Sequence, residues 1–141
     1  MLNKTIPIEL INQQGAHCMI GHLGIEITEI GDDYVCAKMP VDHRTHQPYG
    51  LLHGGASVVL AESLGSFGAA LSVDMNLYNC VGQEINANHI RSVREGFVFG
   101  KATLLHAGKQ SQIWDIRITD EAGKLVCISR LTMAILLKKQ P

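Results

Sequence analysis

One glutamate stands alone. Between residues 56 and 73 the chain is built of apolar and small residues, and Glu62 is the only charged side chain there. A carboxylate is costly to bury, so one held inside an apolar helix tends to have a specific purpose. Ser66 follows four residues later, on the same face one turn on, where its hydroxyl can meet a water or the carboxylate. Ahead of this segment stands His53-Gly54-Gly55, at the point where loop gives way to helix. Unpaired backbone N–H groups point out of a helix N-terminus, and the helix dipole favours negative charge there. Glycine lets a ligand come close to that backbone. The combination suits an oxyanion developing on a carbonyl oxygen. Gln47 adds an amide donor just upstream. The plainer reading is a set of structural glycines, an exposed loop glutamine, and a glutamate bonded across a subunit interface.

Other chemistries fit less well. No G-x-S-x-G elbow is present, and Ser57 and Ser63 have no evident histidine and aspartate partners. Gly54-Gly55 is not followed by the Gly-Lys-Ser/Thr of a phosphate loop. Cys80 with His89 is a conceivable nucleophile pair, but Cys80 begins an expected strand and reads as core. His43 and His46 form H-x-x-H without a cysteine or carboxylate at supporting spacing, so no metal site is expected. A second cluster is basic. Arg91 and Arg94 follow one expected strand, and Lys109 sits in a turn with Gly108. Two such loops can clamp phosphates with side-chain charge and free N–H groups, or simply be solvated loop charge.

These residues need elements to hold them. A short helix over residues 8–14 ends at Gly15. Residues 22–30 alternate, with Leu23, Ile25 and Ile27 on one face, which predicts a half-buried strand. The turn Gly31-Asp32-Asp33 returns the chain through a strand at 34–40, with Val35, Ala37 and Met39 inward. A polar loop over 41–52 leads into one long helix over 56–73. It is apolar on all sides, as a helix wrapped by other structure should be. Its carboxylate, four serines and two glycines argue against a membrane span. Strands follow at 80–90, 97–107, 110–119 and 125–137. Gly108-Lys109 and Glu121-Ala122-Gly123 supply tight turns between antiparallel neighbours. The expected class is α+β, with a curved antiparallel sheet around one central helix.

Composition limits the rest. A chain of 141 residues, 46% of them hydrophobic, fits a single domain with a real core. Its formal net charge of −1 gives no overall attraction to nucleic acid or to an anionic membrane. The four cysteines are scattered, and the N-terminus lacks the pattern of a signal peptide. A reducing cytoplasm is the expected setting.

The segments HLGIEI, MPVDHRTHQPYGLLHGGASVVLAESLGS, VGQEINANHIR and SRLTMAIL carry a resemblance that spans nearly the whole chain. The sequence resembles the hot-dog thioesterases of the phenylacetic-acid-degradation type. Within that family it is most like the bacterial enzymes acting on 1,4-dihydroxy-2-naphthoyl-CoA and the enterobactin-pathway proofreading thioesterases. The resemblance implies an acyl-CoA thioesterase that needs no cofactor, its CoA being part of the substrate. One implied substrate is 1,4-dihydroxy-2-naphthoyl-CoA, in menaquinone biosynthesis. It also implies a homotetramer built as a dimer of dimers, with the active site at the dimer interface. Glu62 would then be base or nucleophile, Gly54 N–H would polarise the carbonyl, Gln47 and His53 would position it, and Ser66 would orient water or acyl group. Phe67 and Leu71 would wall the acyl pocket. CoA contacts would fall on Gly82, on His89, Ile90, Arg91 and Ser92, and on the turn His106, Ala107, Gly108, Lys109, Gln110 and Ser111. The family often has proline where this chain has Ser92, which leaves that loop less stiff. Two rivals stand beside this reading. An acyl-CoA hydratase or dehydratase would need an aspartate–histidine or histidine–glutamate pair in motifs absent here. A non-catalytic acyl-CoA sensor would have no use for Glu62.

Overall fold

Alternating side chains decide which way the strands face. Val35, Ala37 and Met39, Val98 and Ala102, and Trp114, Ile116 and Ile118 are all at most 1% exposed, on three neighbouring strands. The computed structural model describes residues 1–139. Its elements are α1 (Ile8–Gly15), α2 (Met19–His22), β1 (Glu26–Ile30), β2 (Tyr34–Pro40), α3 (Gly54–Leu71), β3 (Tyr78–His89), β4 (Phe97–Ala107), β5 (Ser111–Asp120) and β6 (Leu125–Leu137). The strands form one antiparallel sheet in the order β1-β2-β4-β5-β6-β3. The sheet wraps α3, which touches every strand from β2 to β6. The α+β architecture expected from the sequence is present.

Glycines set how closely α3 lies on the sheet. A side chain at Gly68 would run into the Trp114 ring, and one at Gly65 into Leu131. Leu60, Ala61, Leu64 and Ala69 complete the buried face at 0% exposure. By composition α3 could cross a membrane, at a mean hydropathy of 1.2, yet half of it is buried inside the protein.

Several boundaries differ from the sequence reading. The helix begins at Gly54, two residues before the expected start, because the His53 side chain caps it, accepting from Gly55 N–H at 2.8 Å. It stops at Leu71 instead of Val73, where Ser72 turns back on Ala69 O through backbone and hydroxyl. The first strand begins at Glu26. His22 instead completes α2, and Gly24 turns the chain at φ +70°. β2, β4 and β6 keep the expected bounds, while β3 runs from Tyr78 to His89 and β5 from Ser111 to Asp120, each displaced by one or two residues.

The edge strand β3 carries a bulge that the sequence reading missed. Gly82 pairs with Met133 and Glu84 with Thr132, which leaves Gln83 as an extra residue. A bulge of one residue reverses the alternation beyond it. On β6 the inward residues run without a break through Cys127, Ser129, Leu131, Met133 and Ile135. Their partners on β3 are His89, Ala87 and Ile85, and then, past the bulge, Gly82 and Cys80. Both halves of β3 therefore turn the same way, toward α3.

Candidate active site

The loop before α3 is polar, yet it is pinned at many points. Thr45 is buried, and its hydroxyl donates to Pro40 O at 2.8 Å. Thr45 O in turn receives His53 N–H at 2.8 Å, and Val93 O receives Leu52 N–H at the same distance. The His46 ring bonds the Arg94 carbonyl through Nε2 at 2.8 Å. Near the loop's start the Arg44 guanidinium donates to Asp42 and holds that carboxyl down at about 2, well below the ordinary carboxylate range. Gln47 sits in the following turn. Its Oε1 accepts Tyr49 N–H and its own N–H donates to Leu51 O at 2.8 Å. That bond fixes which end of the amide is free: the Nε2 donor remains for a ligand.

At the helix N-terminus, His53 Nδ1 is occupied as the capping acceptor, so a neutral ring carries its proton on Nε2. Gly54 N–H has no acceptor among the described residues. Glycine here also leaves room for a neighbouring imidazole. A Cβ at residue 54 would lie 2.6 Å from His89 Nε2. Gln47, Gly54 and Ser57 line a cleft of about 290 Å³ together with His89, Ile90, Arg91 and Ser92. An unpaired N–H at a helix start, an amide donor and an imidazole thus face one space, able to receive a carbonyl oxygen or another anion-like group.

Glu62 is elsewhere. Eight residues along α3 from Gly54, it is displaced by about 12 Å at the helical rise. Half-buried, its carboxylate lies directly over Gly82, where any side chain would collide with Oε1. It lines a second cavity of about 320 Å³ with Ile20, Ser63, Ser66, Phe67 and Ala70. Ser66 shares that cavity, although its hydroxyl is directed at Met133 Sδ, 3.8 Å away, and not at the carboxylate. Phe67 lines it as the sequence suggested, whereas Leu71, 6% exposed and packed in the core, borders not this cavity but another at the end of the helix.

Within one chain the two basic loops do not meet. His89 pairs with Cys127 at one end of β6, and Ser111 pairs with Ala134 near the other, a separation of roughly 23 Å along the strand. Arg91 and Lys109 are both exposed, and neither forms an ion pair among the described residues. Gly82 belongs with Glu62, away from Arg91. The Cys80–His89 pair is ruled out on geometry, since nine residues of β3 hold them roughly 30 Å apart. Burial also pushes the Cys80 thiol upward, away from a reactive thiolate.

Sequence reasoning missed Ile20, because a four-residue helix gives no periodic signal. It also set Ser57 aside after asking only whether it was a nucleophile. Its place three residues after Gly54 puts it on the same helix face, which is signal enough to find it. Among the described residues, no three histidines, cysteines or acidic side chains group as metal ligands.

Comparisons with known proteins identify the family and the fold. A family model described as the thioesterase superfamily matches residues 49–127. This span includes both glycines of the helix start and Glu62. The chain is 54% identical over 133 residues to a 1,4-dihydroxy-2-naphthoyl-CoA hydrolase of Escherichia coli, covering 94% of this chain and 97% of the other. It is 52% identical over 134 residues to a proofreading thioesterase of Cronobacter sakazakii, with coverages of 94% and 96%. A crystal structure of a mutant thioesterase from Pseudomonas aeruginosa superposes with a TM-score of 0.95 at 47% identity, covering 97% of this chain and 99% of that one. With a matching family model, relatives similar end to end and a shared fold, the chain belongs to the thioesterase superfamily and is a thioester hydrolase of hot-dog architecture.

Proposed function

We propose that this protein hydrolyses aryl and other acyl-CoA thioesters at a site shared between two copies of the chain. Gly54 N–H of one copy polarises the thioester carbonyl, with Gln47 and His53 positioning it. Glu62 of the other copy supplies the carboxylate, activating water or attacking the carbonyl carbon, and Ser66 orients water or acyl group. Free acid and CoA are the products. Among substrates, 1,4-dihydroxy-2-naphthoyl-CoA, in cytoplasmic menaquinone biosynthesis, is the one suggested by the Escherichia coli relative.

One observation carries the reading: two incomplete half-sites lie apart along the same edge strand. At its end His89 covers Gly54, and seven residues earlier Gly82 lies under Glu62. The outer edge of β3 has no neighbour within the sheet, so its backbone groups are open to pairing. A second copy pairing antiparallel about an axis through Asn86 sets Ile85 of one chain opposite Ala87 of the other. The bulge at Gln83 then brings Gly82 opposite His89, still inward-facing. Glu62 of one copy thereby meets Gly54 of the other. The same rotation carries the turn from His106 to Ser111 toward Arg91 and Ser92, so both basic loops can hold one nucleotide. Two such pairs make the proposed homotetramer.

Subunit mixing tests the shared site. Gln47→Ala and Glu62→Gln proteins, each impaired alone, are unfolded together, refolded and assayed for thiol release. Hetero-oligomers should recover activity, because one of the two sites in a mixed pair is intact. Verified hetero-oligomers that stay inactive would place the whole site in one chain.

CoA recognition has its own test. With a net charge of −1 the protein offers no global pull on a multiply charged nucleotide, so the grip must be local. Arg91→Ala should raise KM for acyl-CoA about tenfold and leave kcat within about twofold, since a phosphate contact remote from the carbonyl serves ground and transition states equally. A short thioester lacking the nucleotide is the control. Equal losses on both substrates would assign Arg91 to the fold or the chemistry instead.

A further inference from the structure

The cavity beside Glu62 does not end at Phe67. Glu62, Ser63, Ser66, Phe67 and Ala70 of α3 line it along the helix, and Ile20 of α2 closes its side. Ala70 also lines a second cavity of about 360 Å³, whose apolar walls are Ile6, Leu71, Val73 and Met75. One small residue therefore borders both spaces. The far cavity is built and not merely a gap at a loose terminus. Leu2 is 5% exposed within the core, Asn3 N–H donates to Leu71 O at 2.7 Å, and Leu2 N–H donates to Asp32 O at 2.8 Å. These bonds hold the N-terminal strap across the end of α3. Asp74 and Asn76 lie at its rim, so the walls are apolar and the outlet polar.

We propose that the two cavities are one acyl channel with Ala70 as its size-selecting residue, so that the enzyme accepts extended apolar acyl chains as well as compact aryl groups. The inference rests on the reading of Glu62 as the carboxylate at the thioester. From Glu62 to Ala70 is eight residues of helix, about 12 Å at the helical rise. A dodecanoyl chain outruns that span and a hexanoyl chain does not. An acyl chain running from the first cavity into the far one passes residue 70. Alanine is the smallest residue that still favours the helix.

The test compares hydrolysis of dodecanoyl-CoA and hexanoyl-CoA by wild type and by two variants. Ala70→Phe narrows the junction, and Ile6→Trp fills the far cavity from the strap without altering the helix. In each, the ratio of kcat/KM for dodecanoyl over hexanoyl should fall about tenfold or more. General destabilisation lowers both rates and leaves that ratio alone. A ratio that stays at the wild-type value in the folded variants would overturn the channel. Should Ala70→Phe fail to fold, Ile6→Trp decides alone. A wild type that hydrolyses an aryl-CoA but releases no thiol from either alkyl substrate would overturn the channel and leave the reading of Glu62 standing, whereas one inactive on all three would overturn both.

Discussion

Glu62→Gln should lower kcat by more than about 100-fold while the protein folds and still binds acyl-CoA. The scale is that of losing a positioned acid–base group or nucleophile. The substitution suits the purpose because it preserves shape. Glutamine can lie over Gly82 as glutamate does, with no added bulk against a backbone that allows none. What is lost is the negative charge and the ability to take a proton or form an acyl bond. Binding should persist, because the helix start, Gln47 and the basic loops are untouched. Single-turnover kinetics with a saturating acyl-CoA separates the chemical step from binding. A folded Glu62→Gln enzyme turning over near the wild-type rate would remove the carboxylate from the mechanism.

A second large effect is expected at Gly54, where paired substitutions separate an N–H group from the space around it. Residue 54 is the first helical position, preceded by His53 at φ −70° and ψ 131°. Proline is well tolerated at a first helical position, and an extended preceding residue accommodates it. Gly54→Pro deletes the N–H assigned to the carbonyl oxygen, at little cost to the helix. Both proline and alanine add a Cβ where His89 Nε2 lies 2.6 Å away, so both displace that ring. Only proline lacks the donor. The expectation is that Gly54→Ala loses activity through crowding, and that Gly54→Pro falls about 100-fold further in kcat, as when one oxyanion donor is removed. Circular dichroism and thermal melts should show both proteins folded. Equal kcat for the two variants would mean that Gly54 N–H does not serve the oxyanion.

Much of this site was legible before the fold. Glu62 stood out because burying a lone carboxylate needs a reason, and His53-Gly54-Gly55 because helix starts bind negative charge. The buried helix followed from its composition and the sheet from alternation. The missing parts share a cause: they are set by pairing or packing and not by the local chain. His53 capping through its ring moved the helix start to Gly54, a use of histidine that no spacing rule announces. The four-residue α2 is too short for periodicity, and its last residue, His22, coincides with the start of the alternating run. The bulge at Gln83 exists only relative to β6, so nothing in β3 itself reveals it. Nor could spacing show that Gln47 and Glu62 lie apart in one copy, since it does not relate a loop to a distant turn of a helix; only the resemblance implied a site shared between chains.

The bulge has a further consequence, for which changes of length this protein can tolerate. Beyond Gln83 the edge strand is read in a shifted frame, with odd-numbered residues inward where even-numbered ones faced inward before. Removing that one residue would leave every remaining side chain chemically unaltered. It would also keep the ladder in phase, because Gly82 and Glu84 already pair with consecutive residues of β6, Met133 and Thr132, so Ile85, Ala87 and His89 would still face inward. The opposite change is the damaging one: a second residue inserted beside Gln83 must either widen the bulge or turn Ile85, Ala87 and His89 outward. The edge strand should therefore tolerate loss of its extra residue far better than the gain of another.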